Sequence, residues 1–240
     1  MRLGTTPLDR FMGLGAFSEH VVVPESMAVP VQTDLTASHS CLIGCGMTTG
    51  FGAAVNTAEV RYGDSVAIYG CGGVGLAAIQ GASIAGASTI FAIDPIKERR
   101  QTALNLGATE AFRPDDAIKT IIERTGAGVD VAIECVGYPE TMLNAFNSIR
   151  SGGRTVIVGL PAYTETLELP AIMLLREKSI KGSIYGSANP AIDFQKIATL
   201  GDQKRLQFAP LVNKTRHFSE INLGFSEMRE GSLIRVVLTF

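Results

Sequence analysis

Short apolar runs alternate with longer stretches of mixed polarity through the middle of this chain. Short runs rich in Val, Ile and Ala predict buried strands, and the mixed stretches between them predict helices. The predicted strands are 65–69, 89–93, 110–112, 129–134, 154–159 and 179–185. The predicted helices are 74–86, 97–106, 115–125, 139–150 and 172–175. This alternation predicts a parallel sheet with helices on both faces, the doubly wound α/β fold.

The two ends of the chain carry weaker patterns. Before the sheet, the sequence predicts a strand at 17–23, a helix at 37–42, a break at the glycines of 44–52 and a second helical stretch at 53–58. After the sheet, it predicts helices at 191–199 and 219–229 and a final strand at 234–239. Neither end is long enough for an independent domain, so we expect the two to form one split domain. Its cleft against the central domain would hold substrate at the carboxyl ends of the strands.

A glycine-rich turn follows the first predicted strand of the sheet. Gly70, Gly72 and Gly75 fit the pattern G-x-G-x-x-G between that strand and a helix. The first glycine permits a sharp turn, the second lets the backbone approach a pyrophosphate, and the third lets helix and strand pack closely. Asp94 ends the next strand, where an acid accepts hydrogen bonds from the adenosine ribose. The sequence therefore predicts a Rossmann domain that binds NAD rather than NADP; the alternative is the same fold with tight turns and no ligand.

The composition argues against some classes of binding partner. The 240 residues carry a net charge of −2 and no basic stripe, so we expect no nucleic-acid partner. The uncharged stretch 65–93 is long enough to suggest a membrane span. It is rich in glycine and carries the nucleotide pattern, however, which favours a buried strand, helix and strand and no membrane partner. Four cysteines form no disulfide framework and the N-terminus has no apolar leader, so we expect a cytoplasmic protein.

A family likeness is spread over nearly the whole chain. The segments that carry it are Cys41–Gly50, Ala53–Ala58, Gly70–Leu76, Ala92–Asp94, Gly107–Thr109, Gly128–Asp130, Glu134–Gly137, Val156–Gly159 and Ile234–Phe240. They resemble the zinc-dependent alcohol dehydrogenases of the medium-chain dehydrogenase/reductase superfamily, nearest to the glutathione-dependent formaldehyde dehydrogenase branch. The resemblance implies an NAD-linked oxidoreductase of small alcohols or aldehydes, with a Rossmann domain and a GroES-like catalytic domain.

The resemblance also implies how the chain is divided and how it assembles. Residues 1–46 would be a remnant of the catalytic domain, 47–185 the NAD-binding Rossmann domain, and 186–240 a returning segment of the catalytic domain. The edge region near 174–186 is where members of the family form homodimers. We therefore expect a homodimer through that edge.

Single residues acquire roles from the same resemblance. Cys45 falls at the last protein ligand of a catalytic zinc, and Thr49 falls at a catalytic-site residue that packs against the nicotinamide. Arg99 falls beside the adenosine ribose, and Arg235 falls at a basic residue that contacts the pyrophosphate. The implied cofactor-binding set is Thr49, Gly70, Gly72, Gly73, Val74, Gly75, Asp94, Arg99, Val136, Val158, Tyr185 and Arg235.

The chain also departs from the family pattern. Full-length members carry an N-terminal portion of well over a hundred residues, in which a cysteine and a Gly-His-Glu motif complete the catalytic zinc site. Here the histidines are His20, His39 and His217, none in that motif, so we expect an N-terminally truncated chain with an incomplete zinc site. A catalytic zinc takes three protein ligands. A site rebuilt from Cys41, Cys45 and His39 is the alternative.

Three functions follow from these observations. The first is a zinc-assisted dehydrogenase that passes a hydride between NAD and an alcohol or an S-hydroxymethylglutathione-type adduct. The second is a catalytically inactive module that binds NAD(H) without turnover. The third is a zinc-independent reductase or polyol dehydrogenase of the same superfamily, which the cysteine at position 45 disfavours.

Overall fold

A parallel sheet forms the centre of the computed structural model, which describes residues 2–7, 14–231 and 233–240. Two very short strands, β1 (Arg2–Leu3) and β2 (Thr6–Pro7), pair antiparallel ahead of it. The strands of the sheet are β3 (Ser65–Tyr69), β4 (Thr89–Ile93), β5 (Glu110–Phe112), β6 (Val129–Glu134), β7 (Ile149–Ile157) and β8 (Ser179–Gly182). Their spatial order is β5-β4-β3-β6-β7-β8. The direction of winding therefore reverses between β3 and β6.

Helices lie on both faces of this sheet and in the segments that flank it. They are α1 (Ala37–Ser40), α2 (Thr48–Gly52), α3 (Gly73–Ile84), α4 (Lys97–Asn105), α5 (Ala117–Thr125), α6 (Pro139–Ser148), α7 (Pro190–Asp202) and α8 (Ile221–Arg229). One apolar core joins the sheet to α3 and α7, and a second joins its other face to α5 and α6. The predicted α/β Rossmann fold is confirmed.

Most strand predictions in the sheet match the structure, but the two at the far edge do not. The strand predicted at 154–159 is β7 and begins at Ile149, because a register shift between Val129 and Val131 lets β6 pair with this earlier stretch. Because Arg150 and Ser151 are polar and exposed, the sequence has no apolar run that would indicate this part of the strand. The strand predicted at 179–185 ends at Gly182, where the chain enters a tight turn.

The predicted break at the glycines of 44–52 is wrong. Helical turns run almost without interruption from α1 through π-helical turns at Ile43–Met47 and Ala53–Thr57, which flank α2. A Cβ on Gly50 would overlap the carbonyl oxygen of Val74, and one on Gly52 would overlap that of Gly186. These glycines therefore allow close helix packing, and they do not end the helix.

The flanks differ more from the expectations. Residues 17–23 form no strand, and Val22 is 98% exposed, because no neighbouring strand pairs with this segment. Two further strands, β9 (Lys214–His217) and β10 (Val236–Thr239), pair in parallel. The sequence pattern missed β9 because its residues are mostly polar, and the final strand begins two residues later than predicted.

Both flanks pack against the sheet domain in one continuous apolar core. Leu42 before the sheet and Ile197 and Phe208 after it are buried in the same cluster as Ile68 of β3. The proposed boundary after residue 46 falls inside a π-helical turn. The division into 1–46, 47–185 and 186–240 stays a prediction. Within the described ranges, no helix is both long and apolar enough to cross a membrane.

Candidate functional site: a crevice at the carboxyl edge of the sheet

The reversal of strand order places a crevice between the carboxyl ends of β3 and β6. In open α/β sheets, ligands bind at such a switch point. The turn after β3 begins at Gly70, which has a φ of +90° and donates its N–H to Ile93 at 2.8 Å. On the other side, Val136 follows β6, and its Cγ2 lies 2.7 Å from the position of a Cβ on Gly70. The two turns thus form opposite walls of the crevice.

The N-terminus of α3 opens into this crevice. The residue that precedes the helix is Gly72, and no side chain caps the first turn. A Cβ on Gly72 would meet nothing within 4 Å, whereas a Cβ on Gly75 would overlap the carbonyl oxygen of Gly70. The first backbone N–H groups, from Gly73 and Val74 onward, have no acceptor within the helix and carry the positive end of its dipole. The geometry therefore leaves room and positive potential for an anion.

Arg235 supplies a positive charge beside the same helix. Its Nη2 lies 2.7 Å from the position of a Cβ on Gly46 and 3.2 Å from that on Gly73. The Asn213 side chain fixes the backbone at Arg235, just before β10, because its Oδ1 accepts the backbone N–H of Arg235 at 3.0 Å. No carboxylate in the described part of the chain forms an ion pair with Arg235. Nothing in the sequence pattern pointed to Asn213.

Asp94 directly follows β4, close to the turn after β3. It is 3% exposed, and its carboxylate accepts the N–H groups of Cys71 and Ile96, each at 2.8 Å. Each oxygen keeps a second lone pair for a further donor. Burial, and then the charge of Asp94, raise the pKa of the Cys71 thiol, which is neutral and belongs to the turn.

Arg99 donates its hydrogen bonds to the C-terminal turn, and its role beside the adenosine ribose stays a prediction. Its Nη2 donates to the carbonyl oxygens of Gly231 and Leu233 at 2.6 and 3.2 Å, so it holds the C-terminal turn. Arg100 lies nearer to the acid, because its Nη1 donates to the carbonyl oxygen of Asp94 at 2.7 Å. The sequence analysis did not single out Arg100.

Tyr185 lies against the helical segment that carries Cys45 and Thr49. The Tyr185 hydroxyl donates to the carbonyl oxygen of Gly44 at 2.7 Å, next to the exposed Cys45. Burial raises the pKa of the Tyr185 phenol, and the nearby Cys45 thiol raises it further. Half-buried Thr49 lies on α2, and its carbonyl oxygen is 2.7 Å from the position of a Cβ on Gly186. These contacts place the three residues in one region, and the roles that the resemblance gives them stay predictions.

A catalytic zinc does not fit the residues that the structure describes. Three protein ligands are needed, yet no group of three candidate ligands occurs in the described ranges. The Cys41 thiol instead donates to the carbonyl oxygen of Ser38 at 3.3 Å, and burial raises its pKa. Cys45 is therefore a single candidate ligand, and no chemical step through zinc follows from this structure.

Comparison with known proteins identifies the family. A family model described as zinc-binding dehydrogenase matches residues 73–229. The chain belongs to this family. The alcohol dehydrogenase class-P of Arabidopsis thaliana is 36% identical to this chain over 238 residues, which cover 97% of this chain and 63% of the relative. The chain thus spans less than two thirds of the length of that relative.

Solved structures of dehydrogenases share the fold. Benzyl alcohol dehydrogenase from Acinetobacter calcoaceticus superposes with a TM-score of 0.84 at 31% identity, over 88% of this chain and 59% of that one. A candidate zinc-binding dehydrogenase from Sinorhizobium meliloti, solved with NADP bound, gives a TM-score of 0.84 at 27% identity, over 94% of this chain and 66% of that one.

Proposed function

We propose that this chain binds NAD(H) in the crevice between β3 and β6 and serves hydride transfer between that cofactor and a small-molecule alcohol or aldehyde. One observation carries the proposal: the uncapped N-terminus of α3 opens at the switch point and faces the guanidinium of Arg235. A helix N-terminus and an arginine together supply the positive potential that a pyrophosphate requires.

The remaining residues of the crevice divide between the two ends of the dinucleotide. Asp94 would accept hydrogen bonds from the adenosine ribose through its remaining lone pairs and repel a 2′-phosphate, which favours NAD. Thr49, Val136, Val158 and Tyr185 would line the nicotinamide half. When bound, the nicotinamide ring supplies the hydride chemistry, and these residues orient the ring and exclude water.

The curated relatives support an alcohol as substrate, because the Arabidopsis relative is named an alcohol dehydrogenase. Within this class we place the chain near enzymes that act on S-hydroxymethylglutathione-type adducts, on the strength of the segments around Cys45 and Gly70.

A second candidate is a module that binds NAD(H) without turnover. The observation that favours it is the lack of further candidate zinc ligands around Cys45 in the described residues. A zinc-independent reductase is the third candidate.

Two properties of the whole protein also belong to the proposal. The edge strand β8 has exposed apolar neighbours, with Leu175 80% and Ile184 91% exposed, which supports a homodimer through residues 174–186. The four cysteines are free thiols, which supports a reducing compartment, the cytoplasm.

Binding and turnover need separate measurements. NADH binding would be followed by its fluorescence, and turnover at 340 nm with primary alcohols, polyols and S-hydroxymethylglutathione, with metal analysis alongside. Binding with zinc-dependent turnover would support the dehydrogenase, and binding without turnover would support the module. Turnover in zinc-free protein would support the reductase. A folded chain that does not bind NADH would overturn the proposal.

A further inference from the structure

Glu134 is a buried acid at the last position of β6, beside the switch point. Its side chain is fully buried, and one oxygen, Oε1, accepts three hydrogen bonds. The donors are the N–H groups of Val136 and Gly137, each at 2.8 Å, and the hydroxyl of Thr141 at 2.6 Å. This single oxygen therefore fixes the turn after β6 and joins it to the first turn of α6.

The same residue contacts the turn that follows β7. The backbone oxygen of Glu134 accepts the N–H groups of Val158 and Gly159 at 2.8 and 3.0 Å. The second carboxylate oxygen, Oε2, is buried without a hydrogen-bond partner and lies 2.6 Å from the position of a Cβ on Gly159. Glu134 thus lies between the turn that carries Val136 and the turn that carries Val158.

This arrangement is costly for folding. Burial of a carboxylate is unfavourable, and a buried oxygen without a partner adds to that cost. An apolar side chain in the same place would avoid both penalties, but it would leave the N–H groups of Val136 and Gly137 without this acceptor. Residues that break such rules are expected at functional sites. The position of Glu134 at the carboxyl edge of the sheet agrees with that expectation.

We propose that Glu134 is a positioning residue for the nicotinamide half of the dinucleotide: its hydrogen bonds hold the two turns at the spacing that lets Val136 and Val158 pack against the ring. The inference rests on the proposed function. Glu134 itself does not reach the cofactor, because its side chain is buried beneath these turns. Val136, in contrast, is 41% exposed and available to a ligand.

The test compares two nucleotides on the full chain. NADH and ADP-ribose share the adenosine and the pyrophosphate, but ADP-ribose lacks the nicotinamide. In Glu134→Ala we expect the Kd of NADH to rise roughly tenfold, while the Kd of ADP-ribose stays within about twofold of the parent value. Glu134→Gln keeps an acceptor oxygen for the three donors and should restore most of the NADH affinity.

Two further variants keep the test decisive. Thr141→Val removes one donor to Oε1 without opening a large cavity, so it should show the same preferential loss of NADH binding, at about threefold, even if Glu134→Ala does not fold. Thr155→Val is the matched control, because it removes another buried polar group without a partner from the neighbouring strand β7. Binding of both nucleotides should be unchanged in this control.

Several outcomes would overturn the inference. Equal weakening of NADH and ADP-ribose in the Glu134 and Thr141 variants would mean a general structural role, and would leave the proposed function standing. Unchanged binding of both nucleotides in the Thr141 variant and in a folded Glu134→Ala would also overturn it. Preferential NADH loss in Thr155→Val would do the same. A folded parent that binds neither nucleotide would overturn the proposed function and, with it, this role.

Discussion

The start of helix α3 at Gly75 packs directly on the carbonyl oxygen of Gly70, so closely that a Cβ on Gly75 would overlap that oxygen. Gly72, three residues earlier, has nothing within 4 Å of the same position. The two glycines therefore have different roles. Gly75 allows close packing of the helix on the turn, and Gly72 leaves open space in front of the helix. We therefore expect substitutions at Gly75 to lower the stability of the fold and substitutions at Gly72 to weaken cofactor binding.

Gly75→Ala should destabilise the fold. The added methyl group has to displace backbone rather than a flexible side chain, so we expect the free energy of unfolding to fall by about 2 kcal/mol or more. Gly72→Ala is the matched control in the same turn and should change stability by less than about 1 kcal/mol. Urea unfolding of both variants measures the difference. Equal stabilities would contradict the packing of α3 on Gly70.

Gly72→Val should fold and lose cofactor binding. The side chain would extend into the open space in front of the α3 N-terminus, where the pyrophosphate is expected, so the Kd of NADH should rise at least about tenfold. Gly15→Val adds the same side chain where there are also no atoms within 4 Å, and should bind like the parent. NADH fluorescence titration checks both. If Gly72→Val binds as tightly as the parent, the pyrophosphate lies elsewhere.

The fold was predictable where the hydrophobic pattern and the pairing of strands agree. The bounds of strands β3 to β6 match the prediction, and the apolar runs of β3 and β4 are buried between two helical layers. The glycines of 44–52 led to a wrong prediction, because glycine occurs both where a helix ends and where two helices pack closely. The contact of Gly50 with α3, which shows that this is close packing, is visible only in the folded chain. Strand β9 was missed because its residues are polar and mostly exposed, so they show no alternation of apolar and polar positions.

Asp94→Asn should change the preference between cofactors. The amide keeps one acceptor oxygen but removes the negative charge that would repel a 2′-phosphate, so the ratio of Kd for NADP to Kd for NAD should fall roughly tenfold. Binding of NAD should also weaken, because one acceptor for the ribose is lost. Asp116→Asn, at an exposed position, is the control. An unchanged ratio would remove Asp94 from the ribose subsite.

The candidate site was predictable only for residues that repeat a local motif. Gly70, Gly72 and Gly75 lie in one strand–turn–helix unit, and Asp94 follows the next strand at the expected spacing, so the sequence alone pointed to them. Arg100 and Asn213 act through contacts that only the folded chain brings about. Glu134 left one signal, an acid at the end of an apolar strand just before Val136 and Gly137, and that signal is too common to be specific.

The free energy of unfolding at acidic pH should depend on the ionisation of Glu227. Hydrogen bonds from Arg216 and Lys214 lower the pKa of its carboxyl from 4.5 to about 2. A carboxyl with a lowered pKa stabilises the folded state above pH 4.5, and that contribution is lost as the pH falls toward 2. Glu227→Gln should therefore be less stable than the parent at pH 7, with the difference shrinking between these two pH values. Urea unfolding across this range measures it.

The control for this effect is Glu230→Gln, because Glu230 forms no ion pair in the described structure. Its stability should follow that of the parent at every pH. High salt should reduce the difference between the parent and Glu227→Gln at pH 7, since these side chains lie near the surface. A difference that persists unchanged to pH 2 would mean that packing, and not charge, explains the loss.

Zinc should not bind stoichiometrically to this chain. Cys45 is exposed, but no group of three candidate ligands surrounds it in the described residues, and one thiolate cannot satisfy tetrahedral zinc. After incubation with zinc and gel filtration, we expect metal analysis to find well below one zinc per chain in the parent and no further change in Cys45→Ser. One zinc per chain that is lost in Cys45→Ser, and also in Cys41→Ser, would mean that these two cysteines, four residues apart, rebuild a site in solution.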